Sequence, residues 1–243
     1  MFLQLFLFHP EKLRQDYHFS FPWLCDEFFL TAPDGACIHG LRFPLPAPKG
    51  LILYFHGNAD NLARWGQVAG DFLHLNYEVW MIDYRGFGKS TGRLSEDALH
   101  SDAAMFYDYA LTVFPPEKIV IYGRSLGSAL ATRLASEVTS RQLILETPFF
   151  NLPELLLHYV PFIGDKIPWE YQFRSDLYIR KVDVPITIFH GTKDEVVPYG
   201  EGTKFEGLLG EKVLFITVEG GKHKNIGEYR LYHEVLESIL GEG

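Results

Sequence analysis

The chain has 243 residues, 47% hydrophobic and 22% charged, with a formal net charge of −9 and a pI near 5.5. That balance supplies a large core, argues against nucleic acid or an anionic membrane surface as an electrostatic partner and favours small neutral substrates. No Pro/Gly/Ser linker or low-complexity tract divides the sequence, so one domain over residues 1–243 is expected.

Met1 to Phe8 is strongly apolar but lacks a basic leader and a small-residue cleavage site. It also falls short of the roughly 18 residues that a bilayer span requires. It is expected to pack on the body of the protein as a strand or apolar arm, with peripheral membrane contact as the alternative. Cys25 and Cys37 flank Pro33-Asp34-Gly35, a turn that sets Cys37 opposite a residue near Leu30. No disulfide is expected, and a reducing, cytoplasmic location fits. Neither cysteine has a partner at metal-site spacing and the ten histidines form no His-x3-His cluster, so neither a metal nor a cofactor is expected.

Phe28 to Leu30 and Ile38 to Phe43 read as an antiparallel hairpin, closed by Pro44-Leu45-Pro46-Ala47-Pro48. Short apolar runs then follow at Leu51 to Phe55, Val79 to Ile82, Ile119 to Tyr122, Leu143 to Leu145, Ile186 to Phe189 and Val213 to Val218. They have the look of strands covered on both faces. Helical patterns separate them at Leu62 to Leu73, Glu96 to Val113 with Ser95 as N-cap, Leu126 to Val138 and about Ile226 to Leu240. This alternation predicts an α/β fold with a mostly parallel sheet entered by the hairpin.

Ligands in such sheets bind beyond the carboxyl ends of the strands, and there the sequence turns polar. The run at 119 passes into Gly123-Arg124-Ser125-Leu126-Gly127 and then into Ala/Leu-rich sequence. A strand, a sharp turn and a helix put Ser125 at the apex, with Gly123 and Gly127 where side chains would jam strand against helix. Gly88-Lys89-Ser90 resembles the end of a phosphate-binding loop but lacks its first glycine, since position 83 is Asp; a turn shaping the rim of the site is expected instead.

A serine nucleophile needs a base, and the base needs a carboxylate. In the order serine, acid, histidine, His223 in a Gly-rich loop is preferred to His233 within the last helix. Asp194 is the best-placed acid, with Glu146 and then Glu195 as alternatives. Backbone N–H groups of Asn58 and Leu126 are the expected oxyanion donors. His56 is expected to order the Asn58 loop.

His56-Gly57-Asn58, Asp83-Tyr84-Arg85-Gly86, the Ser125 pentapeptide, His190-Gly191-Thr192-Lys193-Asp194 and His223, in this order, resemble the α/β-hydrolase superfamily from about residue 26 onward. Within it the motifs are similar to the serine-hydrolase branch of protein depalmitoylases and related esterases or lipases. The resemblance implies an eight-stranded sheet with helices on both faces, a Ser125, Asp194 and His223 triad, and hydrolysis of a carboxylic ester or thioester.

The aromatic segment between the 143 and 186 runs is expected to form a small cap-like insertion over residues 148–180. Asn151 caps a short helix there, with Leu152, Leu155, Leu156 and Tyr159 on one apolar face, and Pro161 with Gly164 break it. Phe149, Phe150 and Trp169 are the expected substrate-binding residues. So many bulky side chains favour a pocket they largely fill, with acyl groups of about C2 to C6. A peptidase using the same three residues, and a non-catalytic interaction protein on this scaffold, are the alternative functions.

Overall fold

In the computed structural model, which describes residues 8–160 and 170–241, the apolar runs become eight strands of one sheet. They are β1 (Asp26–Thr31), β2 (Cys37–Phe43), β3 (Gly50–Phe55), β4 (Tyr77–Ile82), β5 (Ile119–Arg124), β6 (Gln142–Glu146), β7 (Ile186–Gly191) and β8 (Val213–Val218). The sheet order is β1-β2-β4-β3-β5-β6-β7-β8. β2 pairs antiparallel with both β1 and β4, and every later pairing is parallel. This is the α/β-hydrolase fold.

Period-two alternation divides each central strand between two cores. Leu51, Leu53 and Phe55 of β3, with Ile119 and Ile121 of β5, face one layer, while Ile52, Tyr54, Val120 and Tyr122 face the other. The first layer is covered by α3 (Glu96–Leu111), α4 (Leu126–Ala135) and α7 (Tyr199–Leu209). The second is covered by α1 (Leu62–Trp65), α2 (Gly70–Leu73) and α8 (Arg230–Gly241). α5 (Leu152–Tyr159) and α6 (Ser175–Tyr178) lie in the segment after β6.

The helix over Leu62 to Leu73 is interrupted by a 3-10 turn at Gly66–Ala69. A Cβ at Gly66 or Gly70 would strike the rings of Phe21 or Trp23, so close approach of the amino-terminal segment selects glycine there. That segment runs over the α1/α2 side, where Phe19, Phe21 and Trp23 pack against the second core. Of Met1 to Phe8 only Phe8 is described; it is buried, edge-on to Tyr171 with centroids 5.0 Å apart. Among the described residues no helix is long and apolar enough to cross a membrane. Cys37 pairs in register with Thr31, one residue from the expected Leu30, and both cysteines are free.

The Gly88-Lys89-Ser90 turn does not border the site. Lys89 is buried on Glu27 and on the Tyr17 carbonyl, and the Ser90 hydroxyl donates to the Asp83 carbonyl. Gly88 takes a positive φ with its Cα against the Asp83 carboxylate, which accepts from the Leu62 N–H that opens α1. The turn therefore serves packing, because burying Lys89 requires these partners.

Candidate active site

β5 ends on Arg124 and α4 begins at Leu126, leaving Ser125 alone in the turn with φ 51° and ψ −115°. A non-glycine residue held at positive φ is strained, and such strain persists only where neighbours enforce it. Here the Ser125 N–H donates to the Glu146 carbonyl of β6 at 2.9 Å, and Ser128 N–H donates to the Ser125 carbonyl at 2.9 Å. Gly123 and Gly127 allow α4 to lie directly on the sheet. A Cβ on Gly123 would stand 2.7 Å from Ser128 Cα, and one on Gly127 would overlap the Phe55 carbonyl.

His223, in the loop after β8, holds its Nε2 at 3.0 Å from Ser125 Oγ and its Nδ1 at 2.8 Å from Asp194 Oδ2. An ionised carboxylate only accepts, so Nδ1 carries the proton and Nε2 is free to accept from the serine hydroxyl. Asp194 follows β7. Its other oxygen accepts from the N–H groups of Val196 and Val197, both at 2.8 Å. Burial of the carboxylate opposes its ionisation, but His190, His223 and the Val197 N–H outweigh this and hold its pKa well below the usual carboxylate range. Ser125, His223 and Asp194 are thus brought together from loops after β5, β8 and β7.

The alternative acids are committed or remote. Glu146 is buried, accepts from the Tyr122 hydroxyl at 2.8 Å and pairs with Arg124 Nε at 3.2 Å. Glu195 is exposed. His233 Nε2 donates to the Gly227 carbonyl, 2.7 Å away, in the 3-10 turn just before its helix.

Asn58 and Leu126 both border the space at Ser125. The Asn58 loop is held from several sides: His56 Nδ1 donates to the Gly57 carbonyl at 2.7 Å, Tyr84 donates to the His56 carbonyl at 2.6 Å and Trp65 donates to the Ala59 carbonyl at 3.0 Å. Burial pushes the His56 pKa down, so its imidazole is neutral and orders the loop through that one donor.

Two cavities meet at Ser125. One, of about 200 Å³, is apolar: Phe8, Phe149 and Phe173 form one side, and the α5 face of Leu152, Leu155, Leu156 and Tyr159 forms another. Asn151 caps α5, its side chain accepting from the Glu154 N–H at 2.9 Å. Phe149 lines this cavity. Phe150 does not border it and packs on Phe205, with ring centroids 5.2 Å apart. Trp169 lies outside the described residues. Phe8 escaped sequence reasoning because nothing local ties it to a pocket more than a hundred residues away.

The second cavity, of about 330 Å³, is bordered by His223 together with Trp65, Arg64, Arg124 and Lys224. Arg124 Nη2 also donates to the His223 carbonyl at 3.0 Å, bracing that loop. Among the described residues no group of three or more His, Cys, Asp or Glu side chains could hold a metal ion.

Residues 46–172 match the family model described as serine aminopeptidase, S33. The chain is 34% identical over 214 residues to protein bem46 of Schizosaccharomyces pombe, covering 83% of this chain and 71% of that one. It is 34% identical to the lysophosphatidylserine lipase ABHD12 of Danio rerio, covering 78% of this chain and 58% of the relative. Against the α/β-hydrolase domain-containing protein aho-3 of Caenorhabditis elegans it is 31% identical and spans 59% of that protein's length. The esterase Pf2001 of Pyrococcus furiosus superposes with a TM-score of 0.76 over 97% of both chains at 18% identity, a likeness of fold. By its strand order, its serine turn and these relatives together, the chain belongs to the α/β-hydrolase family, in its serine-hydrolase branch.

Proposed function

We propose that the chain cleaves carboxylic esters or thioesters through an acyl-enzyme on Ser125. The observation that carries this reading is the continuous hydrogen-bonded line from Ser125 through His223 to Asp194, opening onto an apolar cavity. Ser125 Oγ attacks the carbonyl carbon as its proton passes to His223 Nε2, and the carbonyl electron pair moves onto oxygen. The N–H groups of Asn58 and Leu126 receive that oxyanion. Collapse restores the carbonyl and expels the alcohol or thiol, which takes the proton from Nε2. Water then attacks the acyl-enzyme with His223 as base, releasing the carboxylic acid and returning the proton to Ser125.

The lysophosphatidylserine lipase among the similar proteins supports an ester substrate. A peptidase releasing amino-terminal residues, the alternative raised by the family description, needs a carboxylate to hold the substrate amine. Glu146 is committed to Arg124 and Tyr122, and no carboxylate lines either cavity among the described residues.

The first test is covalent labelling. A fluorophosphonate should label the protein stoichiometrically and Ser125→Ala should abolish the label; labelling that survives this substitution excludes Ser125 as nucleophile. p-Nitrophenyl esters of graded length, run beside aminoacyl p-nitroanilides, then define the acyl group. The apolar cavity at Ser125 is small and walled by Phe8, Phe149, Phe173 and the α5 face, which favours short acyl groups. Each buried methylene is worth up to about 0.8 kcal/mol, close to fourfold in kcat/KM. We expect a rise to about C6 and then a fall, with Phe8→Ala and Phe149→Ala moving the maximum to longer chains. A profile that climbs through about C10, or that neither substitution moves, would show that the acyl group lies elsewhere.

A further inference from the structure

We propose that the leaving group of this ester substrate carries an anion, a phosphate or a carboxylate, and that Arg64, Arg124 and Lys224 receive it. The inference rests on the ester reading above and concerns which side of Ser125 each half of the substrate takes. The general acid must hand its proton to the departing oxygen, so the alcohol leaves on the side of His223. His223 borders the larger cavity and not the apolar one, which fixes the acyl group in the latter and the alcohol in the former.

That larger cavity is chemically unlike the chain around it. The protein carries a net charge of −9, yet three cationic side chains and no carboxylate line this space among the described residues. Two of the cations have partners. Arg64 pairs with Asp60, and Arg124, with only 13% of its side chain exposed, pairs with Glu146 at 3.2 Å. Lys224 is exposed and has no ion pair among the described residues. Both guanidinium groups lie near the Trp65 ring, at 5.9 and 5.3 Å from its centroid, and a cation held on an aromatic wall is positioned before a ligand arrives. A neutral alcohol would gain nothing from this lining and a cationic one would be repelled. An anion gains charge-assisted hydrogen bonds in a partly enclosed site where solvent screens less than on an open surface.

The test uses the full chain and four hexanoyl esters that differ only in the alcohol: glycerol, glycerol 3-phosphate, glyceric acid and choline. At low salt we expect kcat/KM for the anionic esters to exceed that for the glycerol ester by about tenfold and the choline ester to be poorest, with added salt compressing the series. The phosphate and carboxylate arms identify which anion is preferred. Arg64→Ala with Lys224→Ala, which leaves only Arg124, should lower the anionic-to-neutral ratio severalfold; an unchanged ratio would overturn the assignment. Equal rates for glycerol and glycerol 3-phosphate esters, or a preference for choline, would overturn the proposal while leaving ester hydrolysis standing. Should none of the four turn over, protection of Ser125 from the fluorophosphonate by glycerol 3-phosphate, but not by glycerol, still reads the cavity. Absence of that protection overturns the proposal, whatever becomes of the ester reading.

Discussion

Asp194→Asn should lower kcat by about 10³ to 10⁴ while the protein stays folded. The asparagine oxygen can still accept from the Val196 and Val197 N–H groups, both 2.8 Å from Asp194 Oδ1, so the loop keeps its shape. What changes lies 2.8 Å away at His223 Nδ1: an amide NH2 there donates where a carboxylate accepted. The imidazole then carries its proton on Nε2 and can no longer take one from Ser125. Glu146→Gln is the contrasting case. It leaves the serine, histidine and aspartate untouched but deprives buried Arg124 of its counter-charge, a change that costs stability first. Steady-state kinetics beside urea unfolding of both variants separates the two. A large kcat loss in Glu146→Gln with a mild one in Asp194→Asn would move the acid to β6.

Asp194 also sets a pH dependence. Its pKa in the folded protein is depressed, so the carboxylate contributes stability that is present above the unfolded value of about 3.9 and is lost as pH falls through the folded value. The stability difference between wild type and Asp194→Asn should therefore be greatest near neutral pH and shrink on acidification.

Gly127→Ala should be among the most damaging single-methyl additions at the described glycines. The new Cβ would overlap the Phe55 carbonyl and stand 2.7 Å from that of His56, and both are backbone atoms that cannot rotate away. α4 would have to lift from β3 and β5, opening the first core and displacing Ser125. Overpacking usually costs about 1–3 kcal/mol, and a clash with backbone in the centre of the sheet belongs above that range. Gly207→Ala, within α7 and with nothing in reach of its Cβ, is the control and should gain up to about 1 kcal/mol from helix propensity. Thermal and urea melts of the pair report the contrast directly. Similar stability for the two variants would mean that α4 has room to shift, and the role given to Gly127 would fail.

The amino-acid sequence by itself determined the strand and helix alternation, the serine turn and the order in which Ser125, Asp194 and His223 occur. Each is written locally. Short continuous apolar runs mark β3 to β8, and glycines two residues either side of Ser125 mark the sharp turn. Polar residues just beyond the strand ends mark the loops that the parallel sheet gathers at one edge. Even the apolar face of α5 could be read from Asn151 and the spacing of Leu152, Leu155, Leu156 and Tyr159. Tertiary structure alone decided what surrounds the serine. Phe8 reaches the apolar cavity, Phe150 packs on Phe205, Lys89 is consumed by Glu27, and Arg64, Arg124 and Lys224 converge from α1, the end of β5 and the loop after β8. Such contacts join residues far apart in the chain and depend on how layers close over one another. Backbone periodicity and turn chemistry report which way a chain runs, while the walls of a cavity are set by packing between segments that carry no sequence signal of one another.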